Sequence, residues 1–214
     1  MAGSPRPIAV AITGGIGAGK STALDAFRAH GAAVVSSDAI VHHLLATHDG
    51  VRDALVAKLG PEILGEDGRP DRARIAREVF GDPERLAWLE QLVHPLVSQE
   101  YLEWREQLAR LDEPPRVCVT EVPLLFEVGA QERFDRVVVI TAPAALREQR
   151  RRVARDDRDA RLLPDREKVR QADFHYVNTG TCEALHAAAP ASISSSRMTP
   201  PTHAFSSSNV PVLT

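Results

Sequence analysis

The sequence contains a glycine-rich segment whose residue types and spacing are suited to holding phosphate groups. In AITGGIGAGKST, residues 11–22, Gly14 is followed by four residues and then by Gly19, Lys20 and Ser21, which is the phosphate-loop pattern. Glycines let successive backbone N–H groups turn towards one point, and a following helix adds its positive end. We therefore expect the loop to hold a polyphosphate, with Lys20 on its outer phosphates and Ser21 on a Mg²⁺ ion.

The residues of this loop form one predicted phosphate site. Its members are Gly14, Gly15, Ile16, Gly17, Ala18, Gly19, Lys20, Ser21 and Thr22. The alternative is a glycine-rich turn with a purely structural use. An apolar run before the loop and a helical pattern after it favour nucleotide binding over that alternative.

A carboxylate follows the second apolar run of the chain. In AAVVSSD, residues 32–38, the run has the composition of a short strand, and Asp38 comes directly after it. Open α/β folds bind ligands at the carboxyl ends of their strands, where the glycine loop also lies. Asp38 is therefore predicted to act as a general base on an attacking hydroxyl group. The alternative is that Asp38 caps the start of a helix and has no catalytic role.

A second acidic residue ends the third apolar run. The run RVCVTEV, residues 116–122, is typical of a buried strand, and Glu121 stands near its end. A carboxylate at this place can reach magnesium through a water molecule. An ordinary glutamate at a strand end fits the spacing equally well, so both interpretations stay open.

Arginines are concentrated after the fourth apolar run. Arg147, Arg151 and Arg155 recur every four residues, so a helix would place them on one face. Guanidinium groups pair well with phosphate oxygens, and we predict this role for Arg151 and Arg155. The alternative is a solvated basic face balanced by neighbouring aspartates and glutamates.

The order of the apolar runs predicts the fold class. Four runs are typical of buried parallel strands, and a fifth is typical of an edge strand; they occupy residues 7–13, 32–37, 116–122, 135–141 and 172–177. Helical patterns separate these runs. The alternation predicts an α/β domain with a doubly wound sheet.

The lengths between the runs predict the domain organisation. About eighty residues separate the second and third strands, far more than a crossover needs, so residues 38–114 are predicted to form a helical insert. The nucleotide-binding core then comprises residues 1–37 and 115–189, with a lid at about 145–170. Residues 190–214 are rich in serine, proline and threonine and are predicted to be a disordered tail.

One long apolar stripe lies within the predicted insert. The stripe recurs at helical spacing and is expected to form core; its members are Leu86, Leu89, Leu92 or Val93, and Leu96. Pro95 interrupts the pattern, and we expect the helix to break there and a new helix to begin with proline in its first turn. His94, taken alone, is as consistent with a buried residue at that helix start as with a ligand contact.

Composition limits the classes of partner. The formal net charge is -3 and the pI is about 6.2, so the chain as a whole does not attract nucleic acid or an anionic membrane. No apolar stretch approaches the length of a membrane span. The two cysteines lack the spacing of a zinc or redox motif, which predicts a cytoplasmic location.

Together these segments resemble the dephospho-coenzyme A kinase family, which belongs to the P-loop kinases. The resemblance rests on ITGGIGAGKST, SSD, HPLV at residues 94–97, VPLLFE at residues 122–127 and the closing segment EKVRQADFHYVNTGT. It implies a three-layer P-loop kinase fold with a parallel sheet, a helical substrate-binding insert and an arginine-rich lid. The implied reaction is ATP-dependent phosphorylation of the ribose 3′-hydroxyl of dephospho-CoA, with ATP and dephospho-CoA as small-molecule partners in a monomer or weak oligomer.

The resemblance also implies residue roles. Asp38 would be the base, Lys20 and Ser21 would serve the triphosphate and magnesium, and Arg151 would reach the phosphates from the lid. Asn178 and Gly180 would lie close to the ATP base. The acceptor contacts implied are His94, Pro95 and Leu125.

The chain departs from the family pattern at two places. Many relatives carry DAD where this chain has SSD, so Ser36 replaces an acidic residue while Asp38 is kept. The family usually ends with a longer amphipathic helix, which we expect to be cut short here after TCEALHAAA, where the serine- and proline-rich segment follows. Both departures lie outside the glycine loop.

Three other functions stay open at this point. A kinase of another small alcohol or of a nucleotide would share the loop and differ in the insert. A binding module that uses ATP as a switch would need Asp38 only as a helix cap. Nucleic-acid binding is a weaker alternative, because aromatic residues for base stacking are sparse.

Overall fold

The computed structural model describes residues 6–79, 81–150, 162–180 and 212–213. The chain divides into two compact units, one formed by Met1–Ser36 with Leu108–Thr214 and the other by Ser37–Gln107. The strands are β1 Ile8–Gly14, β2 Ala33–Ser36, β3 Val117–Glu121, β4 Arg136–Thr141, β5 Phe174–Val177 and β6 Val212–Leu213. The described helices are α1 Lys20–Ala29, α2 Ser37–Thr47, α3 Asp49–Leu59, α4 Arg72–Val79, α5 Pro83–Ala109, α6 Ala144–Arg150 and α7 Asp165–Arg170.

The first unit is built on a parallel sheet in the order β2-β3-β1-β4-β5-β6. The central strands β1 and β4 are buried over most of their length, as their uninterrupted apolar sequences predict. Apolar clusters cover both faces of the sheet. One includes Phe27 of α1; the other includes Leu125, which follows β3, with Val169 of α7 packed against it. The predicted α/β class and parallel sheet are confirmed.

Helix α1 is bounded as its sequence indicates. Its apolar face carries Leu24 and Phe27 into the core. The helix ends at Ala29, and Gly31 adopts a φ of 85° and donates its N–H to the carbonyl of Arg28 at 3.0 Å. This is the left-handed residue after a helix end that glycine provides without strain.

The second unit is helical and has its own core. Helices α2 to α5 enclose a buried apolar cluster that includes Leu45, Leu55, Ile63 and Ile75. The predicted stripe of α5 packs against this cluster; its members there are Leu86, Leu89, Leu92 and Leu96.

The expected break near Pro95 is wrong. Helix α5 runs without interruption from Pro83 to Ala109, with Pro95 inside it. Proline lacks an N–H, so one carbonyl of the preceding turn loses its intrahelical donor. Pro95 and His94 are both exposed, which lets water satisfy that side of the helix. The interpretation of His94 as a buried residue at a helix start is therefore also wrong.

Some predicted features fall outside the described residues. Arg151 and Arg155 lie outside the described residues. Most of the predicted tail, residues 190–214, lies outside them as well; its described part is Val212–Leu213, which pairs with β5. Among the described residues, no helix combines the length and apolar character needed to cross a bilayer.

Candidate active site

The glycine-rich loop connects the end of β1 to the start of α1 within the first unit. The carbonyl oxygen of Gly15 accepts the N–H of Ala18 at 3.2 Å and the Nζ of Lys20 at 3.2 Å. Ala18 is fully buried, while Ile16, Gly17 and Lys20 are partly exposed. The loop therefore folds back on itself, with its lysine alongside the main chain.

Two glycines of the loop occupy positions that other residues cannot take without strain. Gly14 has a φ of 151°, and a methyl group on it would lie 2.0 Å from the carbonyl oxygen of Ile140 on β4. Gly19 has a φ of 94° at the N-cap of α1, where a methyl group would lie 2.2 Å from Nδ2 of Asn178. Side chains at these two places would push the loop away from β4 and Asn178.

The start of α1 is open to an anion. Its N-cap makes no side-chain hydrogen bond, and its first turn holds no acidic residue. First-turn amides and the positive end of the helix attract negative charge, so phosphate is the matching ligand. Ser21 is exposed in this first turn, and Thr22 is half-buried.

Asn178 fastens the loop to the sheet. Its backbone N–H donates to the carbonyl of Thr141 at 2.7 Å, and its Nδ2 donates to the carbonyl of Ala18 at 2.9 Å. Its Oδ1 accepts the N–H of Gly180 at 3.0 Å. Asn178 is only 3% exposed, whereas Gly180 is exposed. The side chain of Asn178 thus holds the loop main chain and offers little surface to a nucleotide base.

Two arginines of α6 lie against the loop. A methyl group on Gly15 would come within 2.5 Å of Nη1 of Arg147, and one on Gly17 within 2.9 Å of its carbonyl oxygen. A methyl group on Gly19 would lie 3.4 Å from Nη1 of Arg150. That Nη1 is buried and has no hydrogen-bond partner among the described residues.

The sequence pattern placed Arg147 on the same predicted face, but a phosphate role was predicted only for Arg151 and Arg155, and Arg150 was missed. The spacing of three residues between Arg147 and Arg150 already places both on one helical face. A phosphate oxygen in the loop would provide the hydrogen-bond acceptor that the buried Nη1 of Arg150 lacks within the described part of the chain. Arg150 is therefore a candidate phosphate ligand alongside the predicted arginines.

The predicted carboxylates lie after two neighbouring strands. Glu121 ends β3, in register with Ile12 of β1 and Ser36 of β2, and is partly exposed. Asp38 belongs to the second unit, in the first turn of α2, and is exposed. Helix α2 begins at Ser37, so Asp38 lies inside the helix and not at the cap position of the alternative interpretation.

The oxygen donors near the loop suit a hard divalent cation. Ser21 offers an exposed hydroxyl in the first turn of α1, and Glu121 offers a carboxylate at the end of the strand next to β1. Oxygen ligands of this kind are those that magnesium prefers, with water completing its coordination. The residues present therefore fit a metal that arrives with a nucleotide.

Burial perturbs two ionisable groups of β5. It lowers the pKa of His175 below its usual range, although the charge of Asp165 acts in the opposite direction. Nε2 of His175 lies 2.8 Å from Oγ1 of Thr141. Burial likewise raises the pKa of Tyr176. The neutral forms of both side chains are favoured beside the site.

The predicted acceptor contacts differ in their accessibility. His94 and Pro95 are exposed on α5. Leu125 has no exposed surface and belongs to the apolar cluster beneath the sheet. Its burial does not fit a direct contact with a ligand, because the side chain is already enclosed by core residues.

Comparison with known proteins places this loop and sheet in a family. The family model described as "CoaE: Dephospho-CoA kinase" matches residues 8–183. The chain belongs to the dephospho-CoA kinase family. This family catalyses the last step of coenzyme A biosynthesis, and the matched residues include the glycine loop, Asp38, Glu121 and Asn178.

Individual relatives agree with the family assignment. The chain is 37% identical to a dephospho-CoA kinase of Symbiobacterium thermophilum, over 83% of this chain and 77% of the relative. It is 36% identical to a dephospho-CoA kinase of Leptospira interrogans, over 82% of this chain and 86% of the relative.

Solved structures share the fold. The crystal structure of TT1252 from Thermus thermophilus superposes with a TM-score of 0.70 at 36% identity, over 88% of this chain and 97% of that one. Dephospho-CoA kinase from Campylobacter jejuni gives a TM-score of 0.62 at 25% identity, with the same coverage of both chains. The P-loop kinase fold expected from the resemblance is thus confirmed.

Proposed function

We propose that this chain transfers the γ-phosphoryl group of ATP to the ribose 3′-hydroxyl of dephospho-CoA, with the glycine loop as donor site and Asp38 as general base. The observation that supports this most strongly is the uncapped start of α1 behind a loop that matches the phosphate-loop pattern. The choice of dephospho-CoA as the acceptor substrate rests on membership of the family.

The donor site is the loop with its neighbouring cations. Backbone N–H groups of residues 14–22 and the positive end of α1 would hold the β- and γ-phosphates. Lys20 would stabilise the negative charge that develops during transfer. Arg150 would contribute a buried guanidinium nitrogen at the Gly19 end of the loop. Arg151 and Arg155 would add further phosphate contacts.

The acceptor hydroxyl would be activated by Asp38. The residue follows the last residue of β2 by two positions, and its carboxylate is exposed and thus accessible to a substrate. A carboxylate that accepts a hydrogen bond from an alcohol orients its lone pair towards the phosphorus and removes its proton during transfer. His94 and Pro95, exposed on the helical insert, would contact the bound dephospho-CoA.

A divalent metal accompanies ATP in kinases, and we propose magnesium here. Ser21 would bind the ion directly and Glu121 through water. The ion would neutralise charge on the β- and γ-phosphates.

We further propose a cytoplasmic location, because Cys118 and Cys182 are far apart in the sequence and lack the spacing of a zinc site or a redox motif. The substrates would be small molecules, without nucleic acid or membrane, and the protein would act as a monomer or weak oligomer. Size-exclusion chromatography with light scattering measures that oligomeric state.

An acceptor panel tests the proposed reaction. The purified protein is incubated with ATP and magnesium and with dephospho-CoA, its 3′-deoxyribose analogue, adenosine or AMP, and products are identified by mass spectrometry. We expect one phosphoryl group to be added to dephospho-CoA alone. Phosphorylation of the 3′-deoxy analogue would contradict the position of attack, and a preference for adenosine or AMP would assign a different acceptor.

A further inference from the structure

A buried ion pair in the first unit joins α7 to the segment that follows β3. Lys168 of α7 has no exposed surface, and its Nζ lies 2.8 Å from Oε1 of Glu127, whose side chain is 11% exposed. Lysine is almost never fully buried without an opposite charge, because removing the ammonium group from water is costly. The pair therefore fixes α7 to the segment that follows β3.

The same carboxylate also holds the main chain before α7. Oε1 of Glu127 accepts the N–H of Leu163 at 2.9 Å. Helix α7 has only six residues, which is too short to be stable without tertiary contacts. Leu163 and Val169 pack against the apolar cluster around Leu125, so packing and the shared carboxylate together set the position of the helix.

Helix α7 reaches the phosphate loop through one further ion pair. Oδ2 of Asp165, its first residue, accepts Nη1 of Arg147 at 3.1 Å. Arg147 in turn lies against Gly15 and Gly17 of the loop. A methyl group on Gly15 would also lie 3.4 Å from Oδ1 of Asp165. Contacts thus run without a gap from Glu127 to the loop.

The ion pair is not arranged for stability alone. Oε2 of Glu127 is buried and has no hydrogen-bond partner among the residues that the structure describes, and Nζ of Lys168 meets Oε1 as an ion pair without the geometry of a hydrogen bond. Replacing a buried ion pair by apolar residues of similar volume is often neutral or stabilising, so a pair with an unsatisfied oxygen is weak evidence for a purely stabilising role. A requirement for a fixed position of α7 would explain why charges are used here.

We propose that Glu127 and Lys168 are positioning residues for ATP: they fix α7 so that Asp165 holds Arg147 against Gly15 and Gly17 of the phosphate loop. The inference rests on the proposed function in that the loop is taken to bind ATP. We assign the pair to ATP affinity and not to the transfer step, because its contacts lead through Arg147 to the loop that is proposed to bind ATP.

Paired replacements separate positioning from simple stabilisation. Lys168→Met alone leaves the Glu127 carboxylate unpaired and is expected to lower the melting temperature strongly. Glu127→Leu with Lys168→Met removes both charges and is expected to restore the melting temperature. In this double variant the Leu163 N–H has no acceptor, so α7 is held less firmly. We therefore expect ATP to bind about tenfold more weakly, which is within the coupling energy that packed contacts carry between sites.

A conservative variant provides the rescue. Glu127→Gln with Lys168→Met keeps a carbonyl oxygen for the Leu163 N–H and is expected to recover most of the ATP affinity. Arg170→Met, an exposed position on the same helix, is the matched control and should bind ATP like the wild type. If the double variant does not fold, Asp165→Asn is used instead, and we expect it to weaken ATP binding in a folded protein.

The measurement is the dissociation constant of a non-hydrolysable ATP analogue with magnesium, by titration calorimetry, beside the KM for ATP and the kcat. Weaker binding with kcat nearly unchanged and rescue by glutamine supports the proposal. Wild-type affinity in the stable Glu127→Leu, Lys168→Met variant, or in Asp165→Asn, overturns it. Because binding is measured directly, a wild type that binds ATP but makes no CoA would refute the proposed reaction and leave this inference standing.

Discussion

Asn178 is predicted to hold the phosphate loop in place and not to read the nucleotide base. Asn178→Ala keeps the backbone bond to Thr141 but removes the side-chain bonds to the carbonyl of Ala18 and the N–H of Gly180. Ala18 is fully buried, so its carbonyl loses a partner that water cannot replace. Gly180 is exposed, and its N–H turns to solvent at little cost.

The expected magnitude follows from these contacts. A lost hydrogen bond costs about 1 kcal/mol, and a buried carbonyl left without a donor adds about 1–2 kcal/mol. The total of about 2–3 kcal/mol corresponds to a drop in melting temperature of about 4–12 °C for a chain of this size. We expect the KM for ATP to rise several-fold, because the loop amides are no longer fixed relative to the sheet.

The assay combines thermal unfolding with kinetics using ATP and GTP. Thr179→Ala, an exposed neighbour, is the control and should change neither quantity. The positioning role predicts lower stability and an unaltered ratio of kcat/KM for ATP and GTP. An unchanged melting temperature with a lost preference for ATP over GTP would contradict the positioning role and indicate that Asn178 contacts the base.

Three further predictions concern the loop, the insert and pH. Gly14→Ala places a methyl group 2.0 Å from the carbonyl of Ile140, so we expect a loss of about 2–4 kcal/mol in urea unfolding and no measurable ATP binding; wild-type stability would contradict this close approach. Pro95→Ala restores a donor inside a continuous helix and is expected to stabilise the insert by about 1–3 kcal/mol in thermal unfolding followed by circular dichroism, whereas destabilisation would indicate a helix start at this residue. Burial lowers the pKa of His175 in the folded state, so the unfolded chain binds more protons and stability falls as pH drops below about 6.5. His175→Gln, which keeps a partner for Thr141, should flatten this part of the stability profile, and an unchanged slope would remove His175 as its source.

The sequence predicts the elements whose signal is local. The apolar runs locate the five main strands within two residues. Strands β1, β3 and β4 are buried over most of their length and therefore need continuous apolar residues, whereas β2 is half-buried and β5 alternates between buried and half-buried residues. Gly31 locates the end of α1 for an equally local reason, its left-handed backbone. The loop spacing from Gly14 to Ser21 predicts a phosphate site that the open start of α1 supports.

The features that sequence reasoning missed depend on contacts distant along the chain. The side chain of Asn178 reaches Ala18 across 160 positions, and its own surroundings, NTG, indicate only a turn. Lys168 and Glu127 each belong to charged or mixed segments that do not reveal burial. The predicted helix break at Pro95 was wrong because a helix tolerates proline where water reaches the carbonyl that loses its donor. The exposure of Pro95 cannot be judged from the residue type alone.

Asp38 is proposed to activate an alcohol for attack on a triphosphate held by the glycine loop. This role is tested by single-turnover transfer from ATP to dephospho-CoA in the wild type and in Asp38→Asn, with the dissociation constant for ATP measured for both proteins. We predict that the transfer rate falls by about 10²-fold or more while the dissociation constant stays within about twofold, since the base acts on the acceptor. A transfer rate equal to that of the wild type would contradict the account.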